Sequence, residues 1–220
     1  MSESFAEIAD GLVAAAAGFY QRGWVLGTSG NLSAVVERDP LRLAMTPSGV
    51  DKGALPAEHI LMIDEKARVV GKHDARPSDE SLLHIRVVNE RGAGAVLHTH
   101  SIWSTMLSDL HAERGGLAIE GYEMLKGLAG VKTHEHREWL PVLENSQDMP
   151  ALAERVAGAL SQHPDAHGFL LRRHGLYTWG RDLAQAKRHV EILEFLLETV
   201  GRSRSIAGTI SDAQRQKGDH

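Results

Sequence analysis

The chain has no cysteine among its 220 residues. That excludes a disulfide framework and any thiolate metal centre, so a bound metal would be held by His, Asp or Glu. It also has no excess of positive charge. The formal net charge is −5, which argues against a nucleic-acid footprint or an anionic membrane surface as partner. No uncharged apolar run reaches the length needed to span a bilayer. The first residues include Glu3, Glu7 and Asp10 instead of a basic region before an apolar stretch, so no secretory leader is expected. These absences together fit a cytoplasmic protein. No internal repeat and no interior linker is visible. What remains is ordinary for a globular chain: 42% hydrophobic and 24% charged residues, enough for one sizeable domain.

Periodicity places the elements. Phe5, Ile8, Leu12, Val13 and Ala16 recur at helical steps, Ser4 with Glu7 forms a capping box, and Gly23 suits the stop, which predicts a helix over 4–22. Leu32–Val36 and Leu41–Met45 read as two strands of a hairpin, with Glu37–Pro40 as the turn. Short strands are expected at 60–63 and 69–70. Arg76-Pro77-Ser78-Asp79-Glu80 opens a core-facing helix, with Ser78 as N-cap and two acids in the first turn. Further helices are expected over 102–110, 151–162 and 182–200. Further strands are expected at 95–97, 117–119, 139–143 and 168–171. After Gly201 the chain turns polar and loses its aromatics, so residues 202–220 read as a flexible tail behind a single domain of residues 1–201.

Histidine is plentiful, at 13, so single histidines mean little and only groupings count. Ala95-Val96-Leu97 leads into His98-Thr99-His100. Side chains two apart on a strand share a face, so His98 and His100 can aim at one point. Two convergent imidazoles supply half of a tetrahedral zinc site. Gly168-Phe169-Leu170-Leu171 delivers His174 in the same manner, and His174 is the candidate third ligand. A rival pair, His134 and His136, lies among Lys132, Glu135, Arg137 and Glu138 with no apolar run before it, and reads as exposed loop. Two hydroxyl- and glycine-rich loops, Gly27-Thr28-Ser29-Gly30-Asn31 and Thr46-Pro47-Ser48-Gly49-Val50-Asp51-Lys52-Gly53, flank the hairpin. Such loops can hold an anion on backbone amides, and Lys52 would add a point charge for phosphate. A plain turn and a solvated lysine are the bland alternatives. Glu123 lies between Tyr122 and Met124-Leu125. Apolar surroundings would raise its pKa, as a general acid requires.

Taken in order, Gly30-Asn31, Thr46-Pro47-Ser48-Gly49, Pro77-Ser78-Asp79-Glu80, His98-Thr99-His100 and Arg173-His174-Gly175 resemble the class II aldolase and adducin-head family, from about Phe5 to Val200. The resemblance implies an α/β fold of three layers, helices on both faces of a largely antiparallel sheet. It implies one zinc ion per chain on His98, His100 and His174. It implies phosphate binding by the loops that carry Gly30, Asn31, Ser48, Gly49 and Ser78, with a homotetramer whose sites lie at subunit interfaces. Glu80 stands at the acid/base position of the aldolases, and Glu123 at the proton-donor position of a dehydratase branch. Asp79 departs from the pattern: a carboxylate replaces a serine beside phosphate and weakens the Ser78 assignment.

The activity implied by the dehydratase branch is loss of water from 5-methylthioribulose 1-phosphate. A Lewis acid polarises the C2 carbonyl, a base takes the C3 proton, and an acid protonates the departing C4 hydroxyl. Two other readings stand beside it. One is an aldolase or 4-epimerase that cuts the C3–C4 bond of a sugar phosphate. The other is a non-catalytic adducin-like interaction module, against which the three candidate ligands argue.

Overall fold

The computed structural model describes the backbone of residues 3–218 and the side chains of residues 3–206. Eight strands form one sheet in the order β3-β2-β1-β4-β8-β7-β6-β5. They are β1 (Asn31–Arg38), β2 (Leu41–Met45), β3 (Leu61–Asp64), β4 (Ala95–Thr99), β5 (Gly116–Glu120), β6 (Arg137–Leu143), β7 (Gly168–Leu171) and β8 (Gly175–Gly180). Neighbours run antiparallel, except β6 and β7, which are parallel. The helices are α1 (Phe5–Gln21), α2 (Ser81–Arg91), α3 (Ile102–His111), α4 (Met149–Gln162) and α5 (Leu183–Gly218).

Strand alternation sorts the core onto two faces. Leu43 and Met45 of β2, Val96 of β4, and Phe169 and Leu171 of β7 pack with α2 and α4. The residues between them point the other way. Ala44, Ala95 and Leu97 meet α1 and the start of α5, while Leu170 and Leu176 meet α3 and the middle of α5. The result is the expected three-layer arrangement. Burying a leucine such as Leu97 completely contributes roughly 1.5–3 kcal/mol, so both faces are strongly specified.

The capping box at Ser4 and Glu7 forms, and β1 and β2 pair as a hairpin. Three expectations are corrected. The helix expected to open at Ser78 begins at Ser81. Its backbone makes a turn first, with the Ser81 amide donating to Ser78 O at 3.0 Å, and Ser78 is not the N-cap. Val69 contributes an isolated bridge to Ile63 in place of a strand. The polar segment after Gly201, expected as a tail, continues α5 as helix through Gly218. Polarity alone does not end a helix. No proline interrupts this stretch, and Arg202 pairs with Glu198 one turn back at 2.7 Å. No described helix is long and apolar enough to cross a membrane.

Candidate active site

The two central strands deliver the histidines. β4 and β8 pair antiparallel with His98 opposite Tyr177, and Tyr177 lies opposite Phe169 of β7. The three rings stack across the strands. His98 and Tyr177 are 3.9 Å apart between centroids, and Tyr177 and Phe169 are 4.9 Å apart. His100 follows where β4 ends, and its amide donates to Trp24 O at 2.7 Å. His174 sits in the tight β7–β8 turn. There Arg173 takes a positive φ of 55°, a conformation unfavourable for a side-chain-bearing residue. The surroundings impose it. The Arg173 amide donates to Ser108 Oγ at 3.0 Å, and Thr105 Oγ1 donates to His174 O at 3.0 Å. Asp109 of α3 pairs with both Arg172 and Arg173.

Gly175 completes the approach. A Cβ there would stand 2.0 Å from Thr99 O and 3.0 Å from the His98 ring. Only glycine lets β8 pass this close to β4 beside His98. Gly30 plays a similar part on the other side of β4: its φ is +69° and a Cβ would stand 2.8 Å from His98 O. Its role is close packing and a left-handed turn.

The three imidazoles converge through their Nε2 atoms. The separations are 2.7 Å for His98–His100, 3.1 Å for His100–His174 and 3.3 Å for His98–His174. His98 Nδ1 lies 2.9 Å from Leu176 O. A carbonyl only accepts, so Nδ1 carries the proton and the His98 Nε2 lone pair faces its neighbours. Burial and mutual repulsion lower the pKa of His98 well below the ordinary histidine value, and that of His100 to about 2. Both are therefore neutral, as a metal ligand must be. Donors on a tetrahedral zinc at about 2.0–2.1 Å stand roughly 3.3 Å apart, close to the spacing here. The donor set fits zinc, with room for an exogenous ligand.

Glu80 borders this cluster. Its carboxylate oxygens lie 3.4 Å from His174 Nε2 and 3.6 Å from His98 Nε2. Although it occupies the N-cap position of α2, its side chain does not cap the helix. It is held by Asn31, whose Nδ2 donates to Glu80 Oε2 at 2.7 Å and lies 3.2 Å from Ser78 Oγ. Behind Asn31 stands His84, buried on α2, which contacts Asn31 Oδ1 through Nε2 and Ser33 Oγ through Nδ1 at 2.7 Å. An acceptor on Asn31 and a hydroxyl donor on Ser33 define the neutral Nε2–H tautomer. Burial agrees, lowering the His84 pKa to about 4. Asn31 is thus committed to positioning Glu80. The clue to His84 was present: a titratable residue among the apolar Leu83, Ile85, Val87 and Val88.

The phosphate-loop residues meet the site unevenly. Ser48, Ser78, Asp79, Glu80 and His174 line one cavity of about 230 Å³, joined by Asn145, Gln147 and Met149. Gly49 has an open approach. Lys52 is not a solvated loop residue: it is only 1% exposed. Its ammonium lies 3.0 Å from Val50 O and 3.4 Å from Thr28 O, tying the two loops together, and burial lowers its pKa.

Glu123 departs most from expectation. It lies in a 3₁₀ turn, Glu123–Gly127, with its side chain 73% exposed, 2.7 Å from Lys126 and 3.8 Å from His134. Lys126 lowers its pKa, first through the hydrogen bond and then through its charge. Flanking apolar residues in sequence do not surround it, because Leu125 turns into the core while Glu123 turns out. His136, expected in an exposed loop, is partly buried against Glu138 and His167.

The family described as the Class II Aldolase and Adducin N-terminal domain matches residues 10–200. The chain belongs to this family. Among relatives, methylthioribulose-1-phosphate dehydratase from Marinobacter nauticus is 44% identical over 195 residues, 88% of this chain and 92% of that one. The protein of the same name from Sorangium cellulosum is 42% identical over 196 residues, 89% of this chain and 92% of that one. Among solved structures, L-fuculose-1-phosphate aldolase from Thermus thermophilus superposes with a TM-score of 0.72 at 24% identity, covering 93% of this chain and 98% of that one. That likeness shows the class II aldolase fold, three layers about a mostly antiparallel sheet.

Proposed function

We propose that this class II aldolase family member dehydrates 5-methylthioribulose 1-phosphate to 5-methylthio-2,3-dioxopentyl phosphate, a zinc-dependent step of methionine salvage. The carrying observation is the set of three convergent Nε2 atoms with an anchored carboxylate beside them. It stands in a chain 44% and 42% identical to enzymes of that name. A zinc ion on His98, His100 and His174 would serve as Lewis acid toward the C2 and C3 oxygens. Glu80, held by Asn31, is the base that removes the C3 proton. The cavity bearing Ser48, Ser78 and Gln147 takes the phosphate end, with Asp79 also on its wall, and Gly49 and Lys52 shape its loop. A phosphorylated substrate does not cross a membrane unaided, which supports a reaction in the cytoplasm. Residues 1–201 act as one domain in this reading.

Glu123 is assigned as the acid that protonates the C4 hydroxyl. Within one chain it contacts Lys126 and His134, not the histidine cluster, and its pKa is lowered. The role therefore requires a neighbouring subunit, where the exposed turn is desolvated against that subunit's site. A homotetramer with interfacial sites supplies this. Ile102, Met106 and Leu110 of α3 form an exposed apolar stripe starting two residues beyond His100, the kind of surface an interface covers.

Incubation with 5-methylthioribulose 1-phosphate and mass spectrometry should show a product lighter by one water. Fragments from C3–C4 cleavage would assign the chain to the aldolases instead. His98→Ala and Glu123→Gln should each lose about 10²-fold or more in turnover. Mixed after subunit exchange, the two inactive variants should recover activity, since hybrid interfaces pair one intact histidine cluster with one intact Glu123. No recovery would place the acid within one chain.

A further inference from the structure

The parallel pair in the sheet has a chemical consequence. Because β6 and β7 run the same way, with Val142 opposite Leu170, the residue before β7 comes alongside the start of β6, next to Glu138. His136 immediately precedes β6, Glu138 is its second residue, and His167 immediately precedes β7. His136 Nε2, a Glu138 carboxylate oxygen and His167 Nδ1 are all within 4.8 Å of one another. The two imidazole nitrogens each stand 2.9 Å from the same atom, Glu138 Oε2. His174 follows the last strand residue of β7 by three positions, so this cluster and the active site occupy opposite ends of that strand.

The supporting contacts orient the donors inward. His167 Nε2 lies 2.8 Å from Ala129 O; the carbonyl only accepts, so Nε2 carries a proton and Nδ1 is the atom turned toward Glu138. The Ala129 peptide is itself clamped, its amide donating to His189 Nε2 at 3.1 Å, while His189 Nδ1 donates to Trp179 O at 2.7 Å. The other Glu138 oxygen accepts the His167 amide at 2.8 Å. His167 and Glu138 are thus each backed by an outer partner, the arrangement that fixes donor orientation around bound metals. Glu138 is 1% exposed, yet the cluster opens through His136 and His167 onto a cavity of about 810 Å³, which gives an ion a route in.

We propose that His136, Glu138 and His167 form a second divalent-metal site, separate from the three-histidine centre and suited to zinc. Two imidazoles and one carboxylate are a recognised zinc donor set that leaves a fourth position for solvent or a small anion. The alternative occupant of the same space is a proton on His167 Nδ1, giving an imidazolium–carboxylate pair. A cation at the centre replaces both hydrogen bonds to Glu138 Oε2 and bonds all three donors at once.

The experiment counts ions. Full-length protein is stripped with a chelator, equilibrated with zinc buffered in the low micromolar range, and its zinc measured by mass spectrometry against protein concentration. His136→Ala and His167→Ala are each compared with the unsubstituted chain, so the number of ions on the three-histidine centre does not enter. Each variant should hold one zinc per chain fewer and keep the cooperative thermal transition. Cobalt substitution should show a matching loss of visible absorption. An equal zinc count in the unsubstituted chain and in either variant overturns the site. If His167→Ala fails to fold, His136→Ala decides alone, since His136 is partly exposed and lies in a loop.

Discussion

Glu194 of α5 is buried directly beneath the histidine-bearing strand. It is 2% exposed, and one oxygen accepts from Thr99 Oγ1, the residue between His98 and His100. Its other oxygen has no hydrogen-bond partner. Burial is the largest influence on its pKa and raises it; the nearby hydroxyls of Ser101 and Thr99 oppose, and Glu198 adds repulsion. The result is about 7, against an ordinary 4.5. A raised folded-state pKa means that the folded chain binds this proton more tightly than the unfolded chain. The stabilisation is complete below about pH 4.5 and is lost as pH rises through about 7. The interval corresponds to about 3 kcal/mol, a large share of the 5–15 kcal/mol typical of whole domains. Glu194→Gln removes the titration and keeps the acceptor for Thr99. Urea denaturation of metal-stripped protein from pH 5 to 8 should therefore give a difference curve. Relative to the unsubstituted chain, the variant should gain about 3 kcal/mol between the two ends. Its absolute stability at pH 5 is lower, because the amide leaves a buried N–H₂ unpaired, at about 1–3 kcal/mol. The histidines titrate alike in both proteins and cancel. Parallel pH curves for the two proteins would refute the argument and show that Glu194 is ionised or solvated in the fold.

Two further substitutions probe the scaffold of the site. Gly175→Ala places a methyl 2.0 Å from Thr99 O; calorimetry should show a loss of more than about 3 kcal/mol, above the usual overpacking range because backbone must move, and zinc content should fall with it. Asn31→Ala frees Glu80 from its 2.7 Å anchor and removes the acceptor for His84 without touching the imidazole cluster. Turnover should drop roughly 10–100-fold, the scale for outer-shell partners, with zinc retained; full activity would remove Asn31 from the positioning role.

Much of the fold is written in local pattern. Apolar residues at steps of three and four in α1 and α5, and alternation in β2 and β4, are direct consequences of helical and strand geometry, so they survive without tertiary information. The pairing of His98 with His100 belongs to the same class, because residues two apart on a strand must share a face. Where a local rule has a near-equal competitor, the pattern misleads. Ser78 is a good N-cap by type, yet the chain spends it on a turn before α2. Polar composition after Val200 does not distinguish an irregular tail from the helix that forms.

What only the tertiary structure decides is which groups meet across long separations, and in what protonation state. His174 reaches His98 through strand register, 76 positions apart. Glu80 is held by Asn31, 49 positions away, and Lys52 is buried by carbonyls of two loops. Similarly apolar neighbours in sequence produce opposite environments: Glu123, between Tyr122 and Met124, faces solvent and Lys126, while Glu194, between Leu193 and Phe195, is sealed under β4. Burial and charge contacts set a pKa, and both depend on packing that flanking residues do not encode. The residue types that do the chemistry are thus legible in the chain, and their distances, tautomers and charges are properties of the folded sheet.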